Sequence, residues 1–96
     1  MHKSELVKAI SDKSGLTRKE TGKALDAVVA SISEALCRNE KVSLIGFGTF
    51  ENRFRKQSNG FNPATREPIT IPARYTPAFR PSKVLKDAVK QNLVEE

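Results

Sequence analysis

The sequence predicts an α+β fold: a helical hairpin, a three-stranded antiparallel sheet with a long protruding β-ribbon arm, and a C-terminal helix. Three observations carry this prediction. Apolar residues recur every three or four positions before Asn39, they alternate with a period of two after Lys41, and the helical spacing returns after Pro81. The chain has 96 residues, which suits one domain.

Two helices are predicted in the first half of the chain. The first covers Lys3–Ser14 and ends at the glycine that follows. A capping-box pattern, with Thr17 three residues before Glu20, marks the start of the second helix, which covers residues 17–38. Asn39 suits the left-handed residue that ends many helices. The short connection between the two predicts a helical hairpin.

Three strands are predicted next, over residues 41–45, 49–56 and 68–75. Pro72 lacks an N–H, so the third strand is expected to lie at an edge or to carry a bulge. Pairing residues 51–60 with residues 66–76 would give a ribbon ~33 Å long. A domain of this length has a radius of gyration of about 12–13 Å, so such a ribbon cannot be wholly buried. We therefore expect a two-stranded arm that leaves the body.

A last helix is predicted to follow, with Pro81 at its first position, where the missing N–H of proline costs no hydrogen bond. Its apolar stripe comprises Val84, Leu85, Ala88, Val89 and Leu93. The charged Glu95-Glu96 tail is expected to be frayed. The chain thus divides into a body, residues 1–50 and 76–94, and an arm, residues 51–75.

Composition narrows the classes of function. Hydrophobic residues make up 38% of the chain and aromatic residues 6%, so one copy has little with which to build a core. A second copy of the chain is the simplest way to complete that core. The single Cys37 and the single His2 exclude an internal disulfide, a multi-cysteine zinc site and histidine-based triads. No apolar run approaches the ~20 residues of a membrane span. We expect a soluble, intracellular, non-catalytic protein without metal or cofactor.

The net charge of +6 is concentrated in the second half of the chain. Residues 53–90 hold nine basic side chains against Glu67 and Asp87 alone, a net of +7. A surface so poor in acidic neighbours favours a polyanion as the partner, and nucleic acid before membrane. Arg53 and Arg55 share one face of the outgoing strand of the arm. A narrow basic ribbon of this kind can lie in a groove and contact phosphates.

The tip of the arm reads Phe61-Asn62-Pro63, which sets an apolar wedge beside an amide. Proline can push between base steps from the minor groove, and asparagine can hydrogen-bond the acceptors there. An Asn-Pro pair on its own is more often a turn. The basic ribbon that leads to this pair favours the wedge.

Four ordered motifs of the chain resemble those of the HU and integration host factor family of bacterial histone-like, DNA-bending proteins. They are Gly46-Phe47-Gly48-Thr49-Phe50, Gly60-x-Asn62-Pro63-x-Thr65, Ile71-Pro72-Ala73 and Pro77-Ala78-Phe79. The resemblance implies an intertwined dimer with a helical base and two β-ribbon arms that wrap DNA. It further implies that a proline at each tip intercalates and kinks the duplex, and that residues 1–96 form a single histone-like DNA-binding domain.

The resemblance also implies which residues act. The intercalating wedge falls on Pro63, with Asn62 beside it. The implied arm contacts to DNA are Arg53, Arg55, Lys56 and Arg74. The implied body contacts to phosphate are Lys3, Gly46, Ser82, Lys83 and Lys86. The aromatic positions of the dimer core fall on Phe47, Phe50 and Phe79.

The tip departs from the family pattern at two positions. Phe61 stands where the family usually has arginine, and Arg66 stands where it often has glycine. Arg66 could return a cation to the tip, and Phe61 could add stacking or apolar contact. Both are therefore included in the predicted DNA-binding surface.

The favoured function is an architectural protein that wraps and bends duplex DNA with little sequence specificity. Such a protein would compact the bacterial chromosome in the cytoplasm as part of the nucleoid. The alternative within the family is a subunit like integration host factor, which reads sites through DNA deformability. The alternative from another class is a basic module that binds RNA or protein. The expected partners are duplex DNA and a second copy of the chain, and a heterodimer with a paralogue stays open. No membrane or small-molecule substrate is expected.

Overall fold

The computed structural model describes residues 1–91, so the predictions for Leu93, Glu95 and Glu96 lie outside the described residues. The elements are, in order, α1 (Lys3–Ser14), α2 (Arg18–Cys37), β1 (Val42–Leu44), β2 (Gly48–Arg55), β3 (Ser58–Phe61), β4 (Pro68–Ile71), β5 (Arg74–Pro81) and α3 (Lys83–Gln91). They divide into two compact units, Met1–Ala35 and a second that begins at Leu36. The predicted α+β class is confirmed, but the described residues form five strands where three were expected.

The helical hairpin of the first unit is built from the predicted local signals. Gly15 ends α1 with a left-handed φ of 78°, and its N–H donates to the carbonyl of Ser11. The capping box before α2 is confirmed: the Thr17 hydroxyl accepts from the Glu20 N–H at 3.1 Å, and the Glu20 carboxylate accepts from the Thr17 N–H at 3.0 Å. These bonds satisfy amides that a helix start leaves without partners. Local chemistry therefore determines where both helices meet.

The first unit buries little of its apolar surface. Ala35 is the one buried apolar side chain among residues 1–91, whereas Val28 and Val29 on α2 are 50% and 58% exposed. Thr21, in the first turns of α2, is 1% exposed, and its hydroxyl has no hydrogen-bond partner in the described structure. An unpaired buried hydroxyl is unfavourable, so Thr21 lowers the stability of the hairpin.

The end of α2 is fastened to the sheet within the second unit. Asn39 adopts the predicted left-handed conformation, with φ of 57°. The Asn52 amide donates from Nδ2 to the Leu36 carbonyl at 2.7 Å and to Asn39 Oδ1 at 3.3 Å. The Leu36 carbonyl also accepts from the Asn39 N–H at 2.9 Å, so the side chain on β2 adds a second bond to this carbonyl at the helix end.

The sheet has the strand order β1–β2–β5, and β3 pairs with β4 beyond it; both pairings are antiparallel. The β2–β5 ladder runs from Gly48 opposite Pro81 to Arg55 opposite Arg74. The β3–β4 ladder resumes with Ser58 opposite Ile71. Each strand therefore advances three residues across the interruption, and the pairing keeps the same register.

The interruption contains two unpaired residues on each side: Lys56 and Gln57 on one strand, Pro72 and Ala73 on the other. We call this interruption the arm gap. Of the two alternatives predicted for Pro72, the edge is confirmed, since β4 and β5 each lie at the edge of their sheet, and the bulge is wrong, because a bulge adds a residue to one strand only. Pro72 has no N–H to give to the ladder, so the ladder stops on both strands instead.

The prediction for Pro81 is also wrong. Pro81 is the last residue of β5, opposite Gly48, and α3 begins at Lys83. Ser82 occupies the capping position, because its hydroxyl accepts from the Leu85 N–H at 3.1 Å. Serine is a far better cap than proline, and Pro81 at the end of a ladder needs no N–H.

Gly48 is required by the close approach of β5. A Cβ at this position would lie 2.6 Å from the Arg80 carbonyl oxygen and 2.6 Å from the Phe79 ring. The ring of Phe79 packs at 4.9 Å from the ring of Phe50 and at 5.1 Å from the ring of Phe47. These three rings form the aromatic cluster of the second unit.

Candidate nucleic-acid interface

One face of the β2–β5 ribbon carries most of the predicted arm contacts. Directly opposed residues of an antiparallel pair point to the same side of the sheet. The pairs on this face are Thr49 with Arg80, Glu51 with Ala78, Arg53 with Thr76, and Arg55 with Arg74. We call it the basic face. The structure thus brings Arg53, Arg55 and Arg74 together on one face, whereas Lys56 lies in the arm gap and has the opposite parity.

Glu51 is an acidic residue at the centre of the basic face. Its Oε2 lies 3.7 Å from Arg53 Nε, and its Oε1 lies 3.4 Å from Arg80 Nη2. The Glu51 side chain is 15% exposed, whereas both arginines remain open to solvent. Arg80 was missing from the predicted site, although the alternation of β5 would have placed it with Arg53 if that strand had been extended to Pro81. Its cationic head adds to the basic face.

The tip of the arm is closed by its own backbone. The Asn62 side-chain carbonyl accepts from the Ala64 N–H at 2.9 Å, and its backbone carbonyl accepts from the Arg66 N–H. The Asn62 N–H donates to the Glu67 carbonyl at 2.9 Å. These bonds hold Pro63 in an exposed position on a preformed turn. Because Oδ1 is used in the turn, the Nδ2 donor of Asn62 is left for an external acceptor.

Phe61 and Arg66 flank this turn. Phe61 is 63% exposed and lies opposite Pro68 at the end of the β3–β4 ladder. The arm gap has an even number of residues on each strand, so Phe61 has the same parity as Arg55. Arg66 has a positive φ of 62°, a conformation that glycine adopts at lower cost. Arg66 is thus exposed at the tip in a strained backbone.

The predicted body contacts of the second unit lie near the start of α3. Gly46 forms the turn between β1 and β2 with φ of 81°, and the Ser82 N–H donates to the neighbouring Phe47 carbonyl at 2.9 Å. Lys83 and Lys86 are exposed on the first turns of α3. A surface depression is lined by Gly46, Arg80 and Ser82, among others. The structure therefore brings Gly46, Ser82 and Lys83 to one place, with a helix start that favours anions.

Lys3 belongs to the first unit and is already paired. Its Nζ lies 2.6 Å from Asp26 Oδ1, and both side chains are exposed. A phosphate would have to compete with this carboxylate for the ammonium group. Lys3 is therefore a weaker candidate contact than its charge alone suggests.

The aromatic cluster predicted for a dimer core is formed but incompletely covered in one chain. Phe47 is 44% exposed and Phe79 is 37% exposed, although both rings touch within the cluster. A second aromatic contact was not predicted: Phe54 and Tyr75 lie opposite each other on the other face of the ribbon, with ring centroids 5.7 Å apart. Both of these rings are largely exposed.

Residues 1–91 contain no group of three His, Cys, Asp or Glu side chains that could hold a metal ion. Cys37 is a free, exposed thiol at the end of α2. The pKa of Glu20 lies below its usual value because the Thr17 N–H and hydroxyl hydrogen-bond its carboxylate, as expected of a helix cap. None of the described helices is long and apolar enough to cross a membrane.

Comparison with known proteins identifies the family. Residues 1–90 match the family model described as bacterial DNA-binding protein. The chain is 54% identical over 90 residues to DNA-binding protein HU of Geobacillus stearothermophilus, and 51% identical over 90 residues to DNA-binding protein HU of Staphylococcus aureus. Each alignment covers 94% of this chain and 100% of the relative.

Solved structures agree with the sequence comparison. The cocrystal structure of Anabaena HU with DNA has a TM-score of 0.90 and 43% identity, and the alignment covers 93% of this chain and 97% of that one. HU from Thermotoga maritima has a TM-score of 0.65 and 31% identity, with 93% of this chain and 98% of that one covered. The resemblance read from the four sequence motifs is confirmed. This chain belongs to the bacterial DNA-binding protein family that includes HU.

Proposed function

We propose that this protein is an architectural DNA-binding protein that wraps and bends duplex DNA with little sequence specificity. The observation that carries the proposal is the arm. A basic face with Arg55 and Arg74 leads to a preformed, exposed turn at Asn62-Pro63. Relatives named DNA-binding protein HU support the same function and favour it over the alternatives.

In the proposed mechanism, the arm supplies both attraction and deformation. Arg53, Arg55, Lys56 and Arg74 contact phosphates and hold the ribbon in the minor groove. Pro63 enters a base step, which costs a few kcal/mol of stacking that the bent duplex recovers through further contacts. The free Nδ2 of Asn62 donates to minor-groove acceptors, and Phe61 and Arg66 add apolar and cationic contacts on either side. No step requires covalent chemistry, so we propose that the protein is not an enzyme.

The body continues the proposed DNA path. Gly46 offers a backbone amide and Ser82 a hydroxyl beside the start of α3, and Lys83 and Lys86 add positive charge there. Lys3 contributes once its ion pair with Asp26 opens. These contacts would hold the bent duplex on either side of the kink.

We further propose that the working form is a homodimer. The exposed parts of Phe47 and Phe79 need a cover, and a second copy of the same aromatic cluster supplies one. Residues 1–50 and 76–94 would form the body of this dimer and residues 51–75 its arms, within one histone-like domain over residues 1–96. Its place in the cell would be the nucleoid, in the bacterial cytoplasm.

The bend can be measured by fluorescence energy transfer across a short duplex labelled at both ends, at saturating protein. The parent should bring the two labelled ends closer together. Pro63→Ala should restore most of the end-to-end distance of the free duplex, and its effect on affinity should be much smaller than its effect on the bend. Pro68→Ala, which removes an exposed proline outside the tip turn, is the matched control and should keep the bend. On nicked duplex, where the deformation is already made, parent and Pro63→Ala should differ less. If Pro63→Ala bent the duplex as fully as the parent, the proline would be a turn residue and the wedge would be wrong.

A further inference from the structure

The last ladder pair before the arm gap is a pair of like charges. Arg55 lies directly opposite Arg74, so both guanidinium groups leave the ribbon on its basic face. Directly opposed like charges destabilise an antiparallel pair. The next two residues on each strand are unpaired, so no adjacent ladder pair on the tip side compensates for the repulsion.

The other two arginines of the basic face are paired with a carboxylate. Arg53 and Arg80 share the Glu51 carboxylate at 3.7 Å and 3.4 Å. Neither Arg55 nor Arg74 forms an ion pair with a carboxylate in residues 1–91. The sequence offers little alternative, because Glu67 is the single acidic residue between positions 52 and 76 and its backbone lies in the tip turn. The two opposed arginines are therefore a site of uncompensated positive charge.

We propose that Arg55 and Arg74 form a two-sided clamp for a single phosphodiester group. Opposed residues have Cβ atoms about 4.5–5.5 Å apart, so two long side chains can converge on one phosphate from the two strands. A phosphate oxygen pair accepts from guanidinium groups in the geometry that makes arginine the preferred phosphate ligand. The phosphate both makes these hydrogen bonds and removes the repulsion. The clamp rests on the proposed function, because the phosphate belongs to the DNA backbone.

The clamp differs from two independent contacts in a measurable way. Removing either arginine takes away one side of the phosphate contact and also the repulsion that the phosphate would relieve. Removing the second arginine then costs less, because the repulsion has already gone, so the losses are not multiplicative. The salt dependence reports the same distinction, since the slope of log K against log salt counts phosphates at roughly 0.9 each.

The experiment is a double-mutant cycle with Arg55→Gln, Arg74→Gln and the double variant. Affinity for a duplex of random sequence is measured at several chloride concentrations. Each single variant should bind about tenfold more weakly, and the double variant about 10- to 20-fold more weakly, where independent contacts would give about 100-fold. The salt slope should change little in either single variant, because the remaining arginine still neutralises the one phosphate, and it should fall by about 0.9 in the double variant. Independent contacts would lower the slope by about 0.9 in each single variant and by about 1.8 in the double variant.

Two controls separate the possible failures. Lys13→Gln removes one exposed charge outside the predicted surface and should leave the salt slope unchanged. Replacing chloride by inorganic phosphate at equal ionic strength should weaken DNA binding of the parent more than that of the double variant, because only the parent holds the phosphate site. Equal weakening of both would overturn the clamp. Losses that multiply and slopes that add would also overturn it. Duplex binding by the parent that did not depend on salt would instead refute the proposed phosphate-driven function.

Discussion

The carboxylate of Glu51 should restrain DNA binding, because it pairs with two arginines on the proposed DNA-binding face. Glu51→Gln keeps the shape of the side chain and removes its charge. Both ion pairs are close, at 3.7 Å and 3.4 Å, but the arginine partners are 44% and 58% exposed, so solvent screens them. We take about 0.5 kcal/mol for each pair, in the range measured for exposed ion pairs.

Release of both arginines then corresponds to about 1 kcal/mol, or about fivefold tighter binding to duplex DNA at low salt. The salt slope should also become steeper by about 1 to 2, as Arg53 and Arg80 each become available to a phosphate. Fluorescence anisotropy titrations of a labelled duplex at four salt concentrations give both quantities. Glu40→Gln is the matched control, because Glu40 forms its ion pair with Arg38, at 3.2 Å, outside the basic face. The affinity of Glu40→Gln for duplex DNA should change less than that of Glu51→Gln. Unchanged or weaker binding by Glu51→Gln would show that the carboxylate positions the arginines productively and would refute the reasoning.

Three further predictions concern stability. Phe50→Ala should lower the free energy of unfolding by ~3–5 kcal/mol per site and make the melting midpoint depend more strongly on protein concentration. If the parent protein sedimented as a monomer at micromolar concentration and still melted sharply, the dimer would be contradicted. Thr21→Val should raise the free energy of unfolding, measured in urea, by about 1 kcal/mol, since it replaces an unpaired buried hydroxyl by a methyl group. Thr21→Ser keeps the hydroxyl and should not raise the stability. If Thr21→Val were less stable than the parent, the hydroxyl would have a partner. The pKa of Glu20 is lower in the folded state than its usual 4.5, so its cap stabilises the protein above that pH and is lost as pH falls through the folded value. Glu20→Gln should therefore remove part of the acid sensitivity of α2, measured by circular dichroism, and an identical pH profile would refute this origin.

The parts of the fold that depend on neighbouring residues could be predicted from the sequence. The capping box at Thr17, the glycine stop after α1 and the left-handed Asn39 each involve a few adjacent residues, and all three are present. Pro81 was misplaced because a proline at the end of a strand and one at the start of a helix look alike in sequence. The serine after it decides between them.

The parts of the interface that depend on pairing between distant residues could not be predicted. Glu51 and Arg80 are separated by 29 positions, and only the register of β2 with β5 makes them neighbours. The opposition of Arg55 and Arg74 has the same origin. Pro72 signalled a disturbed ladder, but whether one strand or both would lose pairs depends on the partner strand. The charge distribution and the alternation of residues in the sequence therefore located the arm. The register of the strands determines which arginines lie beside a carboxylate and which do not.

The equal length of the arm gap on its two strands limits how an arm of this kind can be lengthened or shortened in evolution. Deleting one residue from each strand would turn every side chain beyond the gap to the opposite side, because strand faces alternate residue by residue. Phe61 would then lose its shared parity with Arg55, and the tip would present its other side to the groove. Deleting or inserting two residues on each strand restores the parity. Functional arms of different length should therefore differ by an even number of residues per strand, and the gap, which has no ladder bonds to disturb, is the position where such changes are best tolerated.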